Sequence, residues 1–256
     1  MKILILGNGA REETIKDILY QNNKNINCEC LNVESFEKIK DICVKRKIDL
    51  VIPSTEVYLC KGIRDYLEKE IEDIKVFGPT KEQAKIEGSK YYSKKLMEEL
   101  DIPTSNFVYL DSYKRAQNFY LNEVVAKEMV IKYDGLAKGK GVFLPDTIEE
   151  SRSIVKNYFA RQEINEGGII VEGRLYGKEV SVLAFCNGKE AYLMPQSQDY
   201  KRIYDGDKGP NTGGMGAICP ANILTSEELI EVKNHMDKVV KNLNYKGVLY
   251  LSLIHI

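Results

Sequence analysis

Apolar and polar positions alternate differently in the first and second parts of the chain. In the first part, short apolar runs predict buried strands at 2–6, 48–54 and 74–80. The amphipathic segments between them predict helices at 11–20, 36–47 and 61–70. Repetition of strand and helix with short links is typical of a parallel α/β sheet with right-handed crossovers. We therefore expect a first α/β domain that ends at residue 79.

The second part predicts a domain richer in antiparallel strands. A helix is expected at 80–100, which Gly88 either breaks or leaves intact, and Asn187-Gly188 indicates a type I′ hairpin. Further strands are expected at 128–135, 142–145, 167–173 and 179–186, and further helices at 146–159 and 226–243. This order of elements favours an α+β domain over 80–256.

Composition excludes several classes of function. The 256 residues carry 37 basic and 38 acidic side chains, a net charge of -1, so we expect no nucleic-acid partner. The apolar runs fall short of the roughly 20 residues that cross a bilayer, so we expect no membrane partner. The six cysteines contain no C-x-x-C pair, which is typical of free thiols in a reducing cytoplasm.

Three glycine-rich segments are candidates for contact with anions. The turn GNGARE at 7–12 follows a strand and opens a helix, which favours either an anion site or a merely tight turn. In VIKYDGLAKGKGV, at 130–142, Lys132 ends a strand and a lysine–glycine loop follows, so we expect contacts to phosphates rather than a solvated lysine turn. The segment 207–217 carries four glycines and predicts a loop whose backbone approaches a ligand.

Two carboxylates flank a glycine-containing bend. Glu172 ends a predicted strand and Glu179 follows across the bend, next to the apolar Val171 and Leu175. The pair could bind an adenine edge and a ribose diol, although surface carboxylates show the same spacing. Taken alone, this segment leaves both interpretations open.

The order of these segments resembles an ATP-grasp nucleotide site. The motifs ILGNGARE, VFGPT, EGSKYYSKKLM, VIKYDGLAKGKGV and EGRLYGKEVS, and the longer PQSQDYKRIYDGDKGPNTGGMGAICP, are similar to the glycinamide ribonucleotide synthetase family from residue 1 to about 250. The resemblance implies an N-terminal Rossmann-like parallel-sheet domain (pre-ATP-grasp) over 1–79. An incomplete α+β ATP-grasp domain would follow over 80–256, with a lid subdomain at about 124–188.

The resemblance also implies a reaction. Members of the family join glycine to 5-phosphoribosylamine with ATP in purine biosynthesis, through glycyl phosphate, and use Mg²⁺ or Mn²⁺. We accordingly expect ATP, glycine and 5-phosphoribosylamine as ligands of a monomeric cytoplasmic ligase. Two alternatives stay open: another ATP-grasp carboxylate–amine ligase, or a non-catalytic nucleotide-binding module.

By the same resemblance, Lys90 and Lys132 would contact phosphates, Glu172 would bind the adenine amino group and Glu179 the ribose. The full set of expected nucleotide-binding residues is Lys90, Lys132, Gly139, Lys140, Gly141, Val171, Glu172, Leu175 and Glu179. The expected substrate-binding residues are Gly7, Asn8, Gly9, Arg11, Glu56, Asp199, Lys201, Gly213, Gly214, Met215 and Gly216. The expected catalytic residues are Lys132, Arg202, Asp205 and Asn211.

The chain departs from the family pattern at several positions. Glu13 stands where the family has histidine, Ser54-Thr55 stand where it has Gly-Pro, and Gly173-Arg174 replace an acidic–aromatic pair. The family's metal-binding Glu and Asn would come after the matched region, so we expect the metal ligands outside this chain. We expect the chain alone to be an inactive fragment.

Overall fold

The computed structural model describes residues 1–122, 128–136, 141–161, 167–206 and 208–255. The chain divides into two compact units. The first unit combines Met1–Gly88 with Phe185–Ala191 and Val239–Leu249. The second unit combines Ser89–Ala184 with Tyr192–Lys238 and the chain from Tyr250 onward.

The elements follow one another with mostly short connections. The helices are α1 (Ala10–Asn22), α2 (Phe36–Arg46), α3 (Glu56–Lys61), α4 (Ile63–Glu70), α5 (Lys85–Gly88), α6 (Lys90–Glu99), α7 (Tyr113–Asn122), α8 (Ile148–Phe159) and α9 (Ser226–Leu243). The strands are β1 (Lys2–Leu6), β2 (Asn27–Leu31), β3 (Leu50–Pro53), β4 (Lys75–Val76), β5 (Phe107–Leu110), β6 (Met129–Tyr133), β7 (Val142–Phe143), β8 (Ile169–Gly173), β9 (Lys178–Asn187), β10 (Ala191–Leu193), β11 (Gln198–Tyr204), β12 (Lys208–Ile218) and β13 (Lys246–His255).

The first unit is built on a parallel sheet in the order β2-β1-β3-β4. Four of the five side chains of β1 are fully buried, as expected for a central parallel strand covered on both faces. Its core also includes Ile39 and Cys43, which lie one turn apart on α2. The predicted parallel α/β architecture is confirmed, with one strand more than the sequence indicated. That strand is β2, whose partly exposed NCECL sequence lacks a strong apolar pattern.

The second unit contains an antiparallel sheet in the order β5-β8-β6-β7. Helices α7 and α8 pack on one face, where Ile131 and Val171 join the hydrophobic core. On the other face, Tyr91 of α6 stacks on Tyr109 of β5, with ring centroids 4.1 Å apart. The predicted α+β character is confirmed. Strands β9, β10 and β13 form a further sheet in the order β10-β9-β13.

One open prediction is decided and two are corrected. The expected helix at 80–100 is broken after Gly88 into α5 and α6, because Ser89 adopts an extended conformation and caps α6 through a hydrogen bond from Tyr92 N. The hairpin after β9 forms, but three residues connect its strands, so the type I′ assignment was wrong. The glycine-rich run is strand β12 rather than a loop, paired with β11 through an irregular register.

Candidate functional site

The turn after β1 is closed by a buried carboxylate. Glu12 lies in the first turn of α1, is only 5% exposed, and accepts a 2.5 Å hydrogen bond from Gly9 N. Ser54, at the end of β3, hydrogen-bonds both to this carboxylate and to the carbonyl of Leu6. The Ser54 hydrogen bond holds the pKa of Glu12 below its ordinary value, against the opposing effect of burial. The carboxylate therefore ties the ends of two neighbouring strands to the start of a helix.

Glycines in this turn provide room for the carboxylate. A Cβ on Gly7, whose φ is +131°, would lie 2.7 Å from Glu12 Cδ, and a Cβ on Gly9 would lie 2.9 Å from Glu12 Oε2. The amide of Gly9 is occupied by Glu12, so it is not one of the free amides that an anion site needs. Sequence reasoning missed Glu12, although a carboxylate three residues after the helix N-cap is the signature of a capping box.

The other expected substrate-binding residues of the first unit surround this turn. Asn8 and Arg11 are exposed, and Arg11 Nη1 donates a 2.9 Å hydrogen bond to the carbonyl of Ser54. Glu56 follows two residues later, half-buried at the start of α3. The fold thus brings the expected residues of 7–11 next to the 54–56 segment.

In the second unit, an aspartate fastens α6 to the end of β6. Asp134 accepts hydrogen bonds from Ser89 Oγ at 3.1 Å and from Tyr91 N at 3.2 Å. Lys90 Nζ donates to the carbonyl of Gly135 at 2.8 Å. Gly135 lies two residues after the end of β6, so Lys90 is placed just before the predicted phosphate loop.

Lys132 and Glu172 meet on the face of the sheet that α6 covers. Glu172 is 7% exposed, and its Oε1 forms an ion pair with Lys132. Its Oε2 forms a second ion pair with Lys94 Nζ, at 2.6 Å. Burial raises the pKa of Glu172, but the two ammonium groups outweigh burial and hold its pKa below the ordinary value.

Lys94 is a residue that sequence reasoning missed. Its ammonium contacts Glu172 and also donates to Thr104 Oγ1 at 2.8 Å and Ser105 Oγ at 2.9 Å. Burial lowers the pKa of Lys94, and the carboxylate of Glu172 opposes that effect. The available signal was its position four residues after Lys90, which puts both lysines on one side of α6.

Glu179 lies on β9, apart from the Glu172 cluster. It forms an ion pair with Lys201 of β11 and accepts a 3.4 Å hydrogen bond from Ser252 Oγ. Val171 lies in the hydrophobic core, on the sheet face opposite Glu172, whereas Leu175 is 41% exposed. Leu175 is thus the one of these two apolar side chains that solvent or a ligand can reach.

Strands β11 and β12 form a largely exposed ribbon that carries the remaining expected residues. Arg202 Nη1 donates to the carbonyl of Gly209 at 2.5 Å, and Thr212 Oγ1 donates to the carbonyl of Lys201 at 2.9 Å. A Cβ on Gly214 would meet no atom within 4 Å, but its φ of +131° disfavours any other residue. The other expected residues of the ribbon and its turn are exposed or half-exposed: Asp199, Asp205, Gly213, Met215 and Gly216.

Some expected residues lie outside the described part of the chain. These are Gly139 and Lys140 of the predicted phosphate loop and the side chain of Asn211; Gly141, which is described, is buried. Among the described residues, no three His, Cys, Asp or Glu side chains gather in a group that could hold a metal. The helices in the described ranges all lack the length or the apolar character needed to cross a membrane.

Proteins of known structure share the fold of this chain. The crystal structure of D-alanine–D-alanine ligase from Bacillus anthracis matches with a TM-score of 0.70 at 18% identity, over 100% of this chain and 83% of that one. At this identity the likeness is one of fold alone. The chain belongs to the phosphoribosylglycinamide synthetase family. The N domain of this family matches residues 1–87 of the chain, and the family's ATP-grasp (A) domain matches residues 88–256.

Named relatives agree with this assignment and confirm the resemblance read from the motifs. Phosphoribosylamine–glycine ligase from Caldanaerobacter subterraneus is 39% identical, over 99% of this chain and 66% of that protein. The crystal structure of phosphoribosylamine–glycine ligase from Thermotoga maritima has a TM-score of 0.81 at 29% identity, over 99% of this chain and 65% of that one. The chain therefore spans about two thirds of the length of the relatives it matches.

Proposed function

We propose that the protein is an ATP-dependent ligase that joins glycine to 5-phosphoribosylamine, giving glycinamide ribonucleotide, ADP and phosphate. The observation that carries the proposal is the pairing of Lys132 with the buried Glu172 in a chain of this family. A lysine at a strand end can neutralise phosphate charge, and a carboxylate can accept a hydrogen bond from an adenine amino group.

The proposed reaction has two steps. A carboxylate oxygen of glycine attacks the γ-phosphorus of ATP, the bond to the bridging oxygen breaks, and ADP leaves. The amine of the sugar then attacks the carbonyl carbon of glycyl phosphate, the bond to phosphate breaks, and the nitrogen loses a proton to solvent. Both steps are accelerated mainly by positioning and by neutralising phosphate charge.

The residues of the second unit would bind the nucleotide. Lys90 and Lys132 would contact the phosphates, Glu172 the adenine amino group and Glu179 the ribose. For these contacts to form, Lys132 must exchange its partner Glu172 for a phosphate oxygen, and Glu179 must share or exchange Lys201. The half-buried Arg202 and the exposed Asp205, with Asn211, would contact the reacting groups.

The residues of the first unit would bind 5-phosphoribosylamine. Arg11 supplies a cation at an exposed position, and Asn8 an exposed amide next to the helix N-terminus. Glu12 would contribute to this substrate site only by shaping the turn, because its carboxylate is already hydrogen-bonded to Gly9 and Ser54.

ATP-grasp proteins generally use a divalent metal, Mg²⁺ or Mn²⁺, which neutralises charge on the transferred phosphate. The described residues provide no group of three or more ligands for it. We therefore assign the metal to no residue of this chain.

The test measures ADP release by the full-length protein that contains this chain, with MgATP, glycine and 5-phosphoribosylamine present and each omitted in turn. We expect release only with all three, and a loss of at least about tenfold in Lys132→Met, which removes a charge-assisted phosphate contact. A panel of other carboxylates and amines serves as the control. Release with a different pair, or none with the complete set, would contradict the proposed substrates.

A further inference from the structure

The two lysines that flank Glu172 differ in how firmly they are held. The Lys94 side chain is 12% exposed, and its ammonium faces Glu172 together with acceptors on Thr104 and Ser105. The Lys132 side chain is 28% exposed, and among the described residues its one recorded ion pair is with Glu172. Lys94 is therefore saturated with acceptors, whereas Lys132 can leave its single partner without breaking another contact.

The charges of the cluster show why two lysines are present. Two ammonium groups face one carboxylate, so the cluster carries one net positive charge. If Lys132 turns away to bind a phosphate, Lys94 still compensates the buried carboxylate. Without Lys94, the same movement would leave Glu172 as an unpaired buried charge, which is strongly unfavourable.

We propose that Lys94 is a positioning residue of the nucleotide site: it keeps Glu172 ionised and in place, which frees Lys132 to bind the phosphates of ATP. The inference rests on the proposed function, because it takes ATP as the ligand that competes with Glu172 for Lys132. Lys94 itself touches no substrate in this arrangement. Lys94 affects the affinity for ATP only because it compensates the charge of Glu172.

The experiment is a mutant cycle at Lys94 and Glu172, read as the affinity for MgATP by isothermal titration calorimetry. We expect Lys94→Met to weaken binding by about tenfold or more, since Lys132 must then stay with Glu172. In Lys94→Met/Glu172→Gln the anion is gone, so we expect affinity within about threefold of Glu172→Gln alone. A residue with a merely structural role would weaken binding equally in both backgrounds.

The matched control is Lys95→Met on the same helix. Lys95 is exposed and pairs with Glu98 at 2.6 Å, so its loss should leave affinity within about twofold. If Lys94→Met does not fold, Glu172→Gln and the double variant still decide the question, because neither contains the uncompensated carboxylate.

Two results would overturn the inference while leaving the proposed function intact. One is Lys94→Met binding MgATP as tightly as the unaltered chain. The other is the double variant binding much more weakly than Glu172→Gln. If the unaltered chain binds no MgATP, the proposed nucleotide site itself is wrong, and the inference falls with it.

Discussion

At the residue scale, single buried carboxylates organise both units. Glu12 joins Gly9 to Ser54 in the first unit, and Glu172 joins Lys94 to Lys132 in the second. Burying a charge is favourable only when partners compensate it, so each carboxylate constrains the groups around it. In the first unit the constraint shapes a glycine turn, and in the second it orders the cations of the proposed nucleotide site.

The Glu12 carboxylate should stabilise the fold in a pH-dependent way. Its pKa is depressed in the folded state, so its charge contributes stability above the unfolded pKa of roughly 4.3, and that stability is lost as pH falls through the folded pKa. We expect Glu12→Gln to lower the free energy of unfolding by about 1 kcal/mol at pH 7, since a charged acceptor is replaced by a neutral one.

Urea unfolding between pH 7 and pH 3 measures this difference. It should shrink below about pH 4, where the unaltered side chain becomes as neutral as glutamine. Glu13→Gln is the control, because Glu13 is exposed and forms a surface ion pair with the neighbouring Lys16. A difference that stays constant down to pH 3 would show that the charge of Glu12 is not what stabilises the turn.

At the element scale, helix α6 is the element that brings two lysines of the proposed nucleotide site, Lys90 and Lys94, to the sheet. It begins at Lys90, and Asp134 binds the groups just before and after this position, Ser89 Oγ and Tyr91 N. Lys94 lies one turn further along the same helix. The start of α6 therefore determines where both of these lysines lie relative to Lys132 on β6.

Removing the carboxylate of Asp134 should loosen this start. Asp134→Ala leaves Ser89 Oγ and Tyr91 N without their acceptor, and we expect a loss of about 1–3 kcal/mol in the free energy of unfolding, together with weaker MgATP binding. Chemical denaturation and calorimetry measure the two effects. The exposed Asp146 offers a control in Asp146→Ala. Equal stability and affinity in the two variants would show that Asp134 does not anchor α6.

At the scale of the whole molecule, ligand binding should raise the free energy of unfolding. A ligand that binds only the folded chain raises the free energy of unfolding by about 2.7 kcal/mol at one hundred times its dissociation constant. We expect MgATP to stabilise the chain in this way, and to do so much less in Lys132→Met. Urea unfolding with and without MgATP measures the effect. Two results would contradict a nucleotide site at Lys132. One is that saturating MgATP does not change the free energy of unfolding of the chain. The other is that MgATP stabilises Lys132→Met as much as the unaltered chain.

Much of the architecture was predictable because its signals are local. The run KILIL indicates a buried strand, the amphipathic segments at 36–47 and 146–159 indicate helices, and strand–helix alternation indicates a parallel sheet. Strand β2 escaped prediction because an edge strand needs no continuous apolar run. Strand β12 escaped because its pairing with β11, rather than its glycine-rich composition, makes it extended.

The sequence by itself determined the family, the two-part fold class and the residue types of the candidate site, because motif order and periodicity are properties of neighbouring positions. Only the tertiary structure decided the partners: Glu12 with Ser54, 42 residues away, Ser89 with Asp134, 45 residues away, and Glu172 with both lysines. Such partnerships depend on strand register and on how α6 packs against the sheet. These follow from long-range packing, which no local pattern encodes.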